Sequence, residues 1–202
     1  MDISTRLELP NTGEVEANQA FSVGTWLRPN LRPLEYKDEE KPSGVILSAA
    51  DAGQKQQGWQ LRVSKGKLGF VLAHEMPDNA IQVETKQRVL IEGRWNHVLA
   101  TYDGSGKAAG VTLYVDGRAQ ELAIIKDSLQ GSTHVSAPLE FGRTYPDSDP
   151  LRQSAFQDSR FFQRALSAQE AARLSIEDYV AEIVQKPMSG WSEDEFHTVS
   201  EF

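Results

Sequence analysis

"GRWNHVLATYDGSGKAAGVTLYVDGRAQ", Gly93 to Gln120, carries the clearest signature of the fold. Val98, Ala100 and Tyr102 recur at every second position, as do Val111, Leu113 and Val115, which is the period of a half-buried strand. Asp116-Gly117 follows the second run. Asp-Gly suits a two-residue hairpin turn, in which both central positions need positive φ. Asp103-Gly104-Ser105-Gly106 begins like a calcium loop. However, Lys107, Ala108 and Ala109 stand where an EF-hand needs oxygen ligands, so a surface loop is expected. His97 falls on the face opposite Val98, Ala100 and Tyr102. A lone strand histidine reads as a hydrogen-bonded structural residue. The chain's histidines, His74, His97, His134 and His197, lack the spacing of a metal site.

The same grammar extends in both directions. "RLELP" places Leu7 and Leu9 on one face. "AFSVGTWL" opposes Phe21, Val23 and Thr25 to Ser22, Gly24 and Trp26. "GVILSAA", "GWQLRVS", "KLGFVLAH", "AIQVETK", "RAQELAI" and "LEFGR" read as further strands separated by turn residues. Many short strands with no helical pattern between them predict an antiparallel sandwich or barrel. Trp26, Trp59 and Trp95 are expected to be largely buried framework residues, although alternation leaves the face of Trp26 open. Two stretches are too long for plain turns: Arg28 to Gly44, with the acidic run Asp38-Glu39-Glu40, and Gly142 to Phe156.

The pattern changes at "RALSAQEAARL", where Ser167 and Glu170 form a capping box. A helical segment is expected up to Pro187, and Ser192-Glu193-Asp194-Glu195 opens a last short helix. The chain therefore divides into a β-sandwich over residues 1–166 and a helical tail or linker over 167–202. Phe196, Val199 and Phe202 give the tail too little apolar surface to fold alone, so it lies on the sandwich or against a neighbouring domain.

Composition narrows the function. The 202 residues carry a formal net charge of −8, with 39% hydrophobic and 25% charged residues and no cysteine. That balance is globular. It gives no global attraction for nucleic acid or anionic membrane, and there is no Lys/Arg run. Thiolate catalysis, disulfides and cysteine-based zinc sites are excluded. No apolar stretch is long enough to span a bilayer, and "MDISTRLELP" is polar and strand-like, without the pattern of a signal peptide.

"FSVGTWLRP", "GWQLRVSKGKLGFVL", "RWNHVLATYDG", "VTLYVDGR", "LEFGR" and "FQDSRFFQRALSAQE" follow one another in an order that resembles a laminin G-like domain of the concanavalin A-like lectin/glucanase superfamily. The resemblance spans about residues 5–172. Its last block is similar to the family's closing strand, of the form Asp-Asp-Val-Arg-Ile-Tyr-x-Arg-Ala-Leu-Ser, with Gln157 in place of the first Asp and Ser159 in place of Val. The resemblance implies an all-β, two-sheet antiparallel jelly roll. "PDNAIQVETK" and "TYDGSGKAAGVTLYVDGR" further resemble laminin G-like domains within very large planctomycete proteins that also carry c-type cytochrome domains. That implies a module of a larger protein in an extracytoplasmic setting, periplasmic or at the cell surface, with the segment from Ser175 leading towards a next domain. No cofactor is required, but the family often holds a structural calcium ion, and Asp158 matches the second Asp of the closing motif.

Glucanases of this superfamily place Glu-x-Asp-x-Glu on one strand, so that alternate carboxylates enter a cleft. No such strand is written here, nor a Gly-x-Ser-x-Gly or a phosphate-binding glycine loop. A non-catalytic module for polysaccharide is therefore expected, with an architectural or protein–protein role against neighbouring domains as the alternative. Sugars pair with aromatic faces, amides and guanidinium groups. Loop and rim residues of those types are Tyr36, His74, Asn79, Arg143, Tyr145 and Asp147. Arg143 and Tyr145, just after "LEF", are the pair expected to bind an acidic substituent and to stack.

Overall fold

Hydrophobic alternation in the sequence becomes two sheets in space. The structure is a computed structural model that describes residues 7–10, 12–29, 43–51, 53, 55–144, 151, 153–193, 196 and 199; the side chains of 177–182 are outside that set. The strands are β1 (Glu8–Leu9), β2 (Phe21–Arg28), β3 (Gly44–Asp51), β4 (Gln57–Ser64), β5 (Lys67–Glu75) and β6 (Asn79–Thr85). They continue as β7 (Asn96–Tyr102), β8 (Val111–Val115), β9 (Arg118–Ala119), β10 (Leu122–Asp127), β11 (Leu139–Phe141) and β12 (Ala155–Phe162), before helix α1 (Ala168–Val184). One sheet has seven strands in the order β1-β11-β3-β4-β5-β6-β10, and the other has five, β12-β2-β7-β8-β9. The strand pairings are antiparallel throughout the described residues, so the expected all-β sandwich is what forms.

The inner faces supply the core. Trp59, Leu61 and Val63 of β4 meet Val98, Ala100 and Tyr102 of β7 and Val111, Leu113 and Val115 of β8. Phe21 stands at the centre, its ring 5.8 Å from Trp59, 5.9 Å from Phe70 and Tyr102, and 5.8 Å from Phe161. Two buried rings keep a polar handle. Trp59 Nε1 donates to the Gly13 carbonyl at 2.7 Å, and the Tyr102 hydroxyl donates to Ala17 O at 2.6 Å.

The Asp116-Gly117 turn closes β8 and β9 with φ of 48° and 71°, as the residue pair requires. Its carboxylate also accepts the His97 backbone N–H at 2.8 Å. "RAQELAI", read as one strand, is two. Arg118–Ala119 stays in the five-stranded sheet, and Leu122–Asp127 joins the edge of the seven-stranded sheet beside β6. Gln120 and Glu121 carry the chain from one sheet to the other, a switch that alternation alone does not mark.

Two apolar expectations change. Trp95 is 40% exposed. It precedes β7, where the sheet that would cover it has ended. Trp26 is half-buried on the outer face of β2, opposite His97 in register, whereas Trp59 is fully buried. Leu7 and Leu9 are both exposed at the short edge strand β1.

The Ser167 capping box forms: the hydroxyl accepts from Glu170 N, and the Glu170 side chain accepts the Ser167 N–H at 2.8 Å. The first turns of α1 then lie on the outer face of the five-stranded sheet, where Ala171 and Leu166 bury with Leu99 and Tyr114. A side chain at Gly117 would stand 2.4 Å from Ser175 Oγ, so the glycine admits both the turn and the helix. Ser167→Ala is expected to cost about 1 kcal/mol and to lower Tm by about 2–4 °C in thermal circular dichroism. An unchanged Tm would mean that the start of α1 contributes nothing to the fold. The second capping box lies partly outside the described residues.

Candidate functional site

With α1 packed on the five-stranded sheet, the outer face of the seven-stranded sheet remains to be read. Register aligns its side chains in transverse rows. One row runs Glu140, Ser48, Gln60, Val71, Gln82 across β11, β3, β4, β5 and β6. The next runs Arg62, Gly69, Glu84. On the other side the row is small: Ala50, Gly58, Ala73, Ala80. This last row is covered, with Ala73 and Ala80 packed against Val71 and Val135 lying over Gly58, and in the first row Glu140, Ser48, Gln60 and Val71 are buried as well. The accessible strip is therefore polar and centres on Arg62, Gln82 and Glu84, all partly exposed.

Arg143 arrives on this face. Its carbonyl accepts the Ser48 hydroxyl at 2.8 Å, and Thr144 beside it accepts Gln60 Nε2 at 3.2 Å. His74 and Asn79 sit elsewhere, at the β5–β6 hairpin. The His74 ring is 2.7 Å from Ser132 O, and Asn79 Oδ1 accepts Gln130 N at 2.6 Å. Both side chains hold the segment after β10, and β4 separates them from Arg143's anchor on β3. Tyr36, Tyr145 and Asp147 lie outside the described residues.

Asp158 occupies an irregularity in β12, with φ of 46° and a register shift between Gln157 and Arg160. Its Oδ2 is 2.7 Å from Arg160 Nε, a partner that competes with a cation. Among the described residues no group of three or more His, Asp or Glu side chains gathers to hold a metal.

His97, on β7 across β2 from this strand, is buried and lies edge-on to Trp26 with ring centroids 5.3 Å apart. The hydrogen bond expected of a structural histidine is missing at its ring Nδ1, which has no partner among the described residues. Burial above all pushes the imidazole down to about 4; the carboxylate of Asp158 opposes this and the Arg160 guanidinium adds to it. The ring is neutral at pH 7.

The residues of the strip that sequence reading did not single out are Arg62, Gln82 and Glu84. Their signal is present in "GWQLRVS", where Gln60 and Arg62 alternate with three core residues, yet nothing in one strand says which outer face stays open.

A family model described as the concanavalin A-like lectin/glucanases superfamily, of laminin G type, matches residues 2–172. The chain belongs to this superfamily. No curated protein matches the chain by sequence. Among solved structures, this laminin G-like fold is similar to the binding domain of paraclostridial mosquitocidal protein 1. Identity is 17%, the TM-score is 0.60, and the match covers 86% of this chain and 41% of that one. The receptor-binding domain of botulinum neurotoxin D gives 15% identity and a TM-score of 0.56, covering 84% and 39%. The CBM40 of Ruminococcus gnavus IT-sialidase, bound to α2,3-sialyllactose, gives 11% and 0.56, covering 85% and 98%. The chain thus spans about two fifths of the toxin domains it matches and nearly the whole of the CBM40. At these identities the likeness is one of fold. No helix among the described residues is long and apolar enough to cross a membrane.

Proposed function

We propose that this domain is a non-catalytic binding module that recognises polysaccharide, within a larger extracytoplasmic protein. The observation that carries the reading is the polar strip on the outer face of the seven-stranded sheet, with Arg143 and Thr144 anchored at its side by Ser48 and Gln60. The partly exposed groups there are Arg62, Gln82, Glu84 and Arg143, and an amide and guanidinium groups on a rigid sheet suit sugar hydroxyls. The matched structures support the reading, since they are binding domains and one holds a saccharide. Among the described carboxylates of this face, Glu140 is fully buried and Glu84 is paired with Lys67 at 2.8 Å, which does not make the facing acid and base of a glycosidase.

Affinity in the micromolar to millimolar range, about 4–8 kcal/mol, is expected for a shallow site. Retention on immobilised neutral and acidic polysaccharides tests it. The double change Arg143→Ala with Tyr145→Ala is expected to weaken binding at least tenfold, about 1.4 kcal/mol. Tm should hardly move, because the Ser48 bond goes to the Arg143 backbone. Retained binding in the folded double variant would place the site elsewhere. Calcium bound through Asp158 is part of the same proposal, and a Tm unmoved by both chelator and added calcium would remove it.

One observation favours the second reading, a protein-interaction or architectural role. Val184, Met188 and Phe196 of the tail are exposed, with the Trp191 ring tilted against Phe196 at 5.1 Å between centroids. If no polysaccharide is retained and deleting the tail costs solubility, that reading replaces the first.

A further inference from the structure

We propose that Arg62 is the anion-binding centre of the strip on the seven-stranded sheet, so that the polysaccharide it takes is acidic, bearing uronic carboxylates or sulfate esters. The proposal rests on the polysaccharide reading and names the class of ligand. It starts from Gly69. In register opposite Arg62, this residue has no side chain, and a methyl built there would stand 3.4 Å from Arg62 Cγ and 3.8 Å from Glu84 Cβ. The Arg62 stem therefore passes beside the open space at Gly69, and the residue is partly buried on the sheet surface. A half-buried guanidinium ordinarily finds a carboxylate or carbonyl. Among the described residues none accepts a hydrogen bond from the Arg62 guanidinium. The nearest carboxylate along the row, Glu84, is taken by Lys67 Nζ at 2.8 Å.

The surroundings point the same way. The β4–β5 hairpin carries Lys65 at its tip and Lys67 at its base. Its Gly66 lies against the Arg88 stem, which a methyl there would meet at 3.7–3.9 Å. In a chain of formal net charge −8 this end of the sheet is locally basic, although no two of Arg62, Lys65, Lys67 and Arg88 are neighbours in sequence. The planar guanidinium fork offers two parallel N–H donors to a carboxylate or sulfate. Gln82, across Val71 from Gln60, adds an amide within the same strip. A flat strip with hydroxyl-matching amides suits a saccharide chain better than a duplex, which needs a longer run of cations along its phosphates.

The test is isothermal titration of the whole chain with polygalacturonate, dextran sulfate, uncharged dextran and duplex DNA at physiological salt. Binding of polygalacturonate, of dextran sulfate or of both is expected, and which one binds identifies the anion as carboxylate or sulfate. Arg62→Ala is expected to weaken that binding at least tenfold. Arg62→Lys, which keeps the charge and loses the fork, should weaken it less, with Tm unchanged in both variants. Full affinity in Arg62→Ala would overturn the proposal, as would duplex DNA bound as tightly as the acidic polysaccharides. A neutral polysaccharide bound in preference to the acidic ones, unaffected by Arg62→Ala, would overturn it and leave the polysaccharide reading standing. No binding to any neutral or acidic polysaccharide would remove both.

Discussion

Trp59→Ala is expected to leave little folded protein, while Trp95→Ala folds almost as the parent does. Trp59 is fully buried, packs at 5.8 Å on Phe21 and 6.2 Å on Phe161, and donates its indole N–H to Gly13. Truncation empties the centre of the sandwich from both sheets and orphans the Gly13 carbonyl. Core truncations of this size cost about 3–5 kcal/mol, a large part of the stability of one domain. Trp95, 40% exposed, loses surface contacts only, and a change within about 1 kcal/mol is expected. Urea unfolding followed by circular dichroism measures both. Equal midpoints for the two variants would contradict this assignment of inside and outside.

The second large effect is an acid one. His97 is neutral when folded, because burial lowers its pKa from 6.5 to about 4. Between those values the unfolded chain binds more protons than the folded chain, so stability rises with pH across this window. The contribution is complete above pH 6.5, falls as the solution is acidified, and is gone near pH 4. A shift of this size corresponds to about 3 kcal/mol. Protonation would place a charge at an unpartnered Nδ1 beside the Arg160 guanidinium, with only Asp158 to offset it. His97→Phe, which keeps a ring against Trp26 and removes the titration, is expected to flatten the slope of stability between pH 6.5 and 4. NMR titration of the His97 ring in the parent gives the pKa directly, and a midpoint near 6.5 would show that burial does not act as described.

The candidate site was legible only in part. Arg143 could be picked out because it follows a strand into a long polar loop, and its carbonyl accepts a hydrogen bond from Ser48 of the seven-stranded sheet. His74 and Asn79 have the right chemistry for a ligand, but hydrogen bonds to Ser132 and Gln130 use them to fasten a loop. Arg62 was invisible because its meaning depends on Gly69 and Glu84 of two neighbouring strands. Its own strand reads as ordinary alternation.

Sequence alone determined what short-range geometry controls. Period-two apolar runs specified the inward faces of β4, β7 and β8, since each side chain points opposite to its neighbour. Asp116-Gly117 specified a hairpin through its tolerance of positive φ, and Ser167 with Glu170 specified the start of α1 by closing two orphan N–H groups. The tertiary structure decided everything that depends on which surface another element covers. Two tryptophans near strand starts look alike in sequence, yet Trp59 lies between the sheets and Trp95 lies beyond the end of one. Alternation says that a strand has two faces, but only packing shows that α1 closes one outer face while Arg62 is left on the other, because burial is a property of long-range neighbours that no local period encodes.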